Sequence, residues 1–308
     1  MPLTIRTFSH HCRAKYGEGV GKVPVDIGLI CPNRKNGGCI FCRAASFTPS
    51  CLEKSDTILT QVAKAKSFLL KGRFRKYFAY FQQETCTAAP VHELLDLFKL
   101  LLADENCVGL ILSTRPDAVD DKLLGPLAHL IAQVGKDCLF ELGVQTVHES
   151  SLQLLNRNHT YTDFTRTVQQ LKGYGCFEVG AHLIFGIPQE SVDDMLTSVQ
   201  EVCSLGLDAL KLHHLQVIKQ TPLEALYTNG EVEPFSLDSY LQLLLKVLVL
   251  VPETVTIHRL WATAHPDLLV APKWNVLAAQ LSQQLRATME RQNIWQGKES
   301  LYWGADLA

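Results

Sequence analysis

The 308-residue chain has no apolar run long enough to cross a bilayer. Its most hydrophobic stretch, Leu243 to Val251, is broken by Lys246 and stops at Pro252, so it reads as a buried helix. Charge of one sign is also lacking. Twenty-nine Lys and Arg stand against 31 Asp and Glu, a net charge of −2. That excludes a globally basic nucleic-acid-binding surface and leaves only a local patch open. Short-period repeats and low-complexity tracts are missing, which excludes a solenoid. The first residues, with His10, His11, Arg13 and Lys15, lack the apolar run of a signal peptide, and the expectation is a soluble cytosolic protein. What is present in quantity is hydrophobic residue, 47% against 19% charged. This is enough for a large core and far from the disordered regime. The length allows two domains, or one α/β barrel with flanking segments.

Ten cysteines are unusual for such a chain. In a reducing compartment, clustered thiols are more often metal ligands or catalytic groups than disulfides. Cys12, Cys51, Cys86, Cys107, Cys138, Cys176 and Cys203 are scattered. Cys31, Cys39 and Cys42 are clustered.

Hydrophobic periodicity predicts six strands alternating with helices. The strands are Lys22–Ile30, Tyr77–Phe81, Gly109–Ser113, Cys138–Gln145, Phe177–Phe185 and Leu207–Ile218. Such alternation implies a parallel sheet with right-handed crossovers. After Pro222 come a long apolar helix near Leu237–Val251, a strand Thr254–Leu260 and a helix near Val276–Arg291. The expected organisation is an N-terminal segment 1–22, a (β/α)6 core 23–221 and a C-terminal α/β extension 222–308 packed on it. Within the strands, Phe140, Leu142 and Val144 lie opposite Glu141, Gly143 and Gln145. Val179, Ala181, Leu183 and Phe185 lie opposite Glu178, Gly180 and His182, and Leu210 and Leu212 opposite Lys211 and His213. If the apolar face meets the helices, Glu, Gln, His and Lys point to the barrel axis and imply an enclosed, polar ligand. The alternative is that they satisfy one another as buried groups.

The first strand leads into Cys31-Pro32-Asn33-Arg34-Lys35-Asn36-Gly37-Gly38-Cys39-Ile40-Phe41-Cys42, a C-x7-C-x2-C loop. Parallel sheets place ligands at strand carboxyl ends, where this loop sits. Thiolates suit zinc or iron–sulfur centres. Zinc would need a fourth ligand, which Cys51 or Cys12 would have to supply. A cluster on three cysteines instead leaves one iron free for a substrate or cofactor.

A three-cysteine loop after the first strand of a six-fold β/α pattern resembles the radical S-adenosylmethionine superfamily. The x7 gap is similar to that of its elongator-catalytic-subunit-like branch. Cys31-Pro32-Asn33-Arg34 with Gly37-Gly38-Cys39, Ser46-Phe47-Thr48-Pro49-Ser50, Ala79-Tyr80-Phe81-Gln82, Ser113-Thr114-Arg115-Pro116-Asp117, Glu141 to Thr146 and His258-Arg259-Leu260 resemble the small bacterial YhcC-type family. The resemblance implies a partial (β/α)6 parallel barrel in which Cys31, Cys39 and Cys42 hold a [4Fe–4S] cluster. S-adenosylmethionine would chelate the fourth iron, and one electron from a flavodoxin- or ferredoxin-type protein would release a 5′-deoxyadenosyl radical that takes hydrogen from an unactivated carbon. Gln82, Gln83 and Glu84 stand where the superfamily receives the methionine amino group, although Gly-Gly-Glu is not present. Thr114 and Arg115 join the cofactor-binding set. Glu141 and Gln145 are candidates for ribose or methionine contacts, and the segment with Ile184 and Gly186 for the adenine. Lys211 and His213 look like substrate-side groups, and Cys86, expected near the mouth, could donate hydrogen or protect a radical.

Gly17 to Lys22 is no phosphate loop, because it precedes a strand and Val23 replaces Ser or Thr. His10-His11 and His213-His214 lack a partner pair for metal. Lys64, Lys66, Lys71, Arg73, Arg75 and Lys76 form a run without an acidic residue. It reads either as a solvated helix end or as a phosphate-contacting patch. Three functions follow: a radical enzyme acting on a transfer RNA wobble uridine, the same chemistry on a small molecule or protein, or a zinc-stabilised nucleic-acid-binding barrel without catalysis.

Overall fold

The computed structural model describes residues 4–46, 48, 53 and 55–300. Phe47, Pro49, Ser50 and Cys51 of the sequence reading lie outside the described residues. The elements in chain order are α1 (Phe8–Tyr16), β1 (Val20–Pro24), α2 (Ile58–Ala65), β2 (Lys76–Phe81), α3 (Val91–Leu102), β3 (Cys107–Thr114), α4 (Asp121–Val134), β4 (Asp137–Gln145), α5 (Glu149–Leu154) and α6 (Tyr161–Gly173). They continue with β5 (Glu178–Phe185), α7 (Val192–Ser204), β6 (Ala209–His214), β7 (Val217–Ile218), α8 (Pro222–Thr228), α9 (Leu237–Leu250), β8 (Thr256–Arg259), β9 (Leu269–Ala271) and α10 (Ala278–Arg291).

Strands β1 to β6 pair in sequence order and in parallel, as the alternation with helices requires. Strand β8 adds a seventh, parallel to β6. The partial parallel barrel is therefore present, and the strand expected at Thr254–Leu260 in the extension joins it as β8 instead of standing apart from the sheet. The sheet curls until its edges approach: Lys22 Nζ on β1 lies 3.3 Å from His258 Nδ1 on β8.

Two strands differ from the sequence reading by more than two residues at their carboxyl ends. The first strand ends at Pro24, not Ile30. Its neighbour β2 offers one more acceptor, Tyr80 O, to Val25 N at 2.9 Å. Beyond it the Gln61 amide replaces a strand, accepting from Asp26 N and donating to Asp26 O, each at 2.8 Å. The apolar alternation of Ile27 and Leu29 thus has no backbone partner to become sheet. The expected strand Leu207–Ile218 is two strands, because β7 leaves the barrel to pair antiparallel with β9.

The outward residues Leu110, Leu112, Phe140, Leu142, Val144, Ala181 and Leu183 form one core with the helices. The inward residues form two layers. At the amino ends of the strands, Val20, Phe78, Ile111, Leu139 and Ala209 fill the axis together with Cys12 of α1. Helix α1 is the floor: the Phe8 ring meets His258 edge-on at 4.8 Å, and Lys15 is paired with Asp137 and Glu178 at 2.9 Å each. Above this apolar layer the inward residues turn polar, and the open end of the barrel is its carboxyl end.

Candidate active site

Cys31 precedes one 3₁₀ turn, Pro32–Asn36, in which proline at the first position has no N–H to leave unsatisfied. Gly37 and Gly38, at φ +89° and +74°, then turn the chain back to Cys39 and Cys42. Two segments clamp this loop. Glu84, just past β2, accepts the Cys31 N–H at 3.0 Å and the Arg34 guanidinium at 2.9 and 3.2 Å. Beyond α5, Asn156 Nδ2 donates to the carbonyls of Asn36 and Gly38 at 2.8 and 2.7 Å, and Asn158 Nδ2 donates to Asn33 Oδ1 at 2.8 Å. Both asparagines have φ +52°, which Asn tolerates better than most side chains. Arg157 between them turns inward. Its Nη1 donates to Cys39 Sγ at 3.2 Å and its Nη2 to Gly143 O at 2.6 Å. A Cβ on Gly143 would stand 3.2 Å from Arg157 Nη2 and 2.7 Å from the Gln145 amide, so glycine makes this approach possible.

The three cysteines line one cavity of about 250 Å³ with the polar inward residues of β3 to β6. At its base sits Glu141, almost fully buried. Its Oε2 accepts from Lys211 Nζ at 2.6 Å and Ser113 Oγ at 2.9 Å, with His182 Nε2 at 3.3 Å. Its Oε1 faces His258 Nδ1 at 3.0 Å and Lys22 Nζ at 3.7 Å. Burial would raise this carboxyl, but Lys211 and Lys22, then the two histidines, hold it well below the usual carboxylate range. Lys211, which also donates to Tyr80 OH, is lowered by burial to about 8 against the pull of Glu141. His182 and His258 are lowered by burial to about 4 and about 3, so both are neutral at pH 7.

Several cavity groups are not satisfied by protein. Among the described residues, Arg115 Nη1 and His213 Nε2 are buried without a partner, although Arg115 otherwise bonds Asp117 and the carbonyls of Arg157 and Asn158. Burial, with Cys39 beside it, pushes the Cys42 thiol up to about 12. A bound cation is what offsets that penalty on a thiolate. Among the described residues no three His, Cys, Asp or Glu side chains are gathered around the point of a single metal ion. The donor set is three cysteines lining one cavity, with N–H groups of Asn33 and Arg157 on Cys39 at 3.4 and 3.2 Å. Such donors complement an anionic, thiolate-held iron–sulfur cluster.

Comparison with protein families decides the matter. The Radical SAM superfamily matches residues 26–202, and the Radical_SAM C-terminal domain matches 207–291. The chain belongs to the radical SAM superfamily. It is 34% identical over 297 residues to YtqA of Bacillus subtilis (95% of this chain, 91% of that protein). It is 33% identical over 274 residues to YhcC of Escherichia coli (88% and 87%). A Methanocaldococcus jannaschii protein named tRNA uridine(34) acetyltransferase is 28% identical over 161 residues, 51% of this chain and 29% of its own length. Among solved structures, the archaeal Methanocaldococcus infernus Elp3 with an N-terminal deletion matches with a TM-score of 0.67 at 20% identity, covering 91% of this chain and 64% of that one.

This radical SAM chain is therefore an enzyme whose cofactors are a [4Fe–4S] cluster and S-adenosylmethionine, and enzymes of this kind need an external reductant. The non-catalytic zinc barrel falls with that membership. Cys12, one of its candidate ligands, lies in the apolar floor.

Of the site residues expected from the sequence, Gln82, Glu84, Thr114, Arg115, Glu141, Gln145, Ile184, Lys211 and His213 line the cavity with the three cysteines. Three others do not. Cys86 is not at the mouth: it is buried in the apolar core behind β2, where burial raises its thiol. Gln83 turns away toward the loop, where its amide meets Asp26 and Thr48 Oγ1. Gly186, at φ +87°, faces Phe235, whose ring would be 2.9 Å from an added Cβ. Glu141 has both oxygens engaged, so it anchors Lys211 before it can contact any ligand. Within the basic run, Lys64 is paired with Asp56 and Glu53, Lys66 with Asp104, and Arg75 and Lys76 with Glu18. Lys71 and Arg73 are the members without an ion pair among the described residues. The patch is therefore largely neutralised by acids distant in sequence. Sequence reasoning missed Arg157 and its flanking asparagines. The signal was a polar Asn-Arg-Asn run between two helices, carrying residue types that accept left-handed backbone.

Proposed function

We propose that Cys31, Cys39 and Cys42 hold the [4Fe–4S] cluster, that S-adenosylmethionine is cleaved reductively in the adjoining cavity, and that the substrate is a wobble uridine of transfer RNA. When bound, the cofactors supply a carbon radical able to remove hydrogen from an unactivated carbon. The protein's share is position and dryness. Glu84 and Asn156 fix the loop, Arg157 and Asn33 donate to Cys39, and the helix α1 floor closes the water route from below. Arg115 Nη1 is a free donor for an anionic group of the cofactor. The observation that carries the reading is the convergence of three sulfurs and unpaired donors on one cavity at the carboxyl ends of the strands.

The transfer RNA part rests on the name of the more distant relative and on the Elp3 likeness, not on the basic run. A second reading, a small-molecule substrate, is favoured by the neutralisation of that run. Anaerobic purification followed by reduction tests the chemistry. A brown protein that forms 5′-deoxyadenosine, and loses its colour in Cys39→Ala, supports it; a colourless protein holding zinc refutes it. Mass spectrometry of transfer RNA nucleosides from a strain lacking the gene tests the substrate. An unchanged wobble position excludes transfer RNA and leaves the small molecule.

A further inference from the structure

The motif His258-Arg259 lies at the β6–β8 side of the cavity, with Arg259 the register partner of Lys211. The other cations lining the cavity are engaged. Lys211 bonds Glu141 and Tyr80, Arg34 bonds Glu84, Arg115 bonds Asp117, and Arg157 bonds Cys39 and Gly143 O. Arg259 has no hydrogen bond or ion pair among the described residues, yet it lines the same cavity. Beside it the His213 ring makes no hydrogen bond either, and its Nε2 is buried without a partner. Unspent donors of this kind, on two partly buried residues that line the same cavity, mark a place for a ligand.

We propose that Arg259 and His213 form an anion subsite that takes a carboxylate carried by the substrate, on the small-molecule reading of that substrate given above. A guanidinium fork offers two parallel N–H bonds to two carboxylate oxygens, and His213 Nε2–H supplies a third. Burial, with Arg259 beside it, keeps the His213 ring well below its ordinary pKa. It therefore binds as a neutral donor and leaves Arg259 as the one charge to be matched. That balance fits a monoanion, because Glu141 matches the Lys211 charge at 2.6 Å and Lys22 does not line the cavity. A phosphate dianion would ask for more. The subsite belongs to the substrate and not to the methionyl end of the cofactor. Arg259 has Lys211, Lys22, Tyr80, His182 and His213 as its charged and polar neighbours, whereas the cysteine loop is surrounded by Arg34, Glu84 and Arg157. This assignment rests on the reading that the cysteines hold the cluster, since that reading puts the cofactor on the loop side.

The test is a titration of anaerobically reconstituted, S-adenosylmethionine-loaded protein with sodium acetate and, separately, inorganic phosphate, at constant ionic strength. Tryptophan fluorescence reports binding, because Trp274 packs on His214, next to His213, at 4.1 Å. Acetate is expected to bind saturably and more tightly than phosphate. Arg259→Met is expected to weaken acetate about tenfold or more, as loss of a charge-assisted pair does, while cluster absorbance and cofactor affinity stay at the wild-type level. Unchanged acetate affinity in Arg259→Met overturns the proposal. So does tighter phosphate binding, or loss of cofactor affinity, which would give Arg259 to S-adenosylmethionine. Should Arg259→Met not fold, Arg259→Lys keeps the charge without the fork and is expected to lose part of the acetate affinity. Wild-type protein that assembles no cluster would refute the cysteine reading instead, a separate result read from the visible spectrum.

Discussion

Glu141→Gln is the most demanding substitution for this account of the barrel. The carboxylate is 1% exposed and faces Lys211, 3% exposed, at 2.6 Å, with Lys22 at 3.7 Å. Removing its charge leaves Lys211 buried with no counterion, which typically costs about 3–5 kcal/mol. For a domain of this size each kcal/mol lowers Tm by roughly 2–4 °C, so a fall of about 6–20 °C is expected. Thermal unfolding followed by far-ultraviolet circular dichroism measures it. The control is Glu141→Leu combined with Lys211→Met. Replacing both partners by apolar groups removes the unpaired cation, so the double variant should unfold at higher temperature than Glu141→Leu alone. If Glu141→Gln melts within about 2 °C of wild type, or if Lys211→Met gives no relief in the Glu141→Leu background, the buried hub is not what holds the inner layer.

Acid should unfold the protein early. Burial lowers His182, His214 and His258 to about 4, about 3 and about 3 in the folded protein, against an ordinary histidine value of 6.5. Near pH 5 these three rings alone give the unfolded chain about three more bound protons, so stability falls as pH drops by up to ~4 kcal/mol per pH unit. Chemical denaturation at pH 7.5, 6 and 5 checks this, and a flat profile refutes it. Cys86→Ala should cost about 1–2 kcal/mol as a small core truncation and leave 5′-deoxyadenosine formation unchanged, because the thiol does not line the cavity. A selective loss of that activity in a folded variant would return Cys86 to the site. Arg157→Met removes one of the two N–H donors on Cys39 Sγ and should move the cluster's reduction potential to more negative values. An anaerobic redox titration followed by electron paramagnetic resonance reads the shift, and a potential equal to wild type contradicts the assignment.

Period-two alternation made the inner set of Glu141, His182, Lys211 and His213 legible, because a side chain on a strand has only two directions and the apolar one must meet the helices. The local C-x7-C-x2-C spacing, with glycines before the second cysteine, likewise identified the loop without any tertiary information. Cys86 and Gln83 were misplaced for the complementary reason. Beyond the end of a strand the alternation rule stops, and direction is set by what the loop packs on. The basic run shows the same limit. Its partners Asp104 and Glu18 are 38 and 57 positions from Lys66 and Arg75 respectively, so its neutralisation cannot be read locally.

The sequence by itself determined the sheet class, the facing of the strands and the candidate sulfur ligands, since each follows from covalent geometry and short-range spacing. Only the tertiary structure decided that β8 joins the sheet beside β6, that α1 seals the floor, and that Arg157 reaches Cys39 across 118 positions while Arg259 is left with its donors unspent. Those outcomes depend on which distant segments pack together, and packing is a property of the whole chain that no window of neighbouring residues contains.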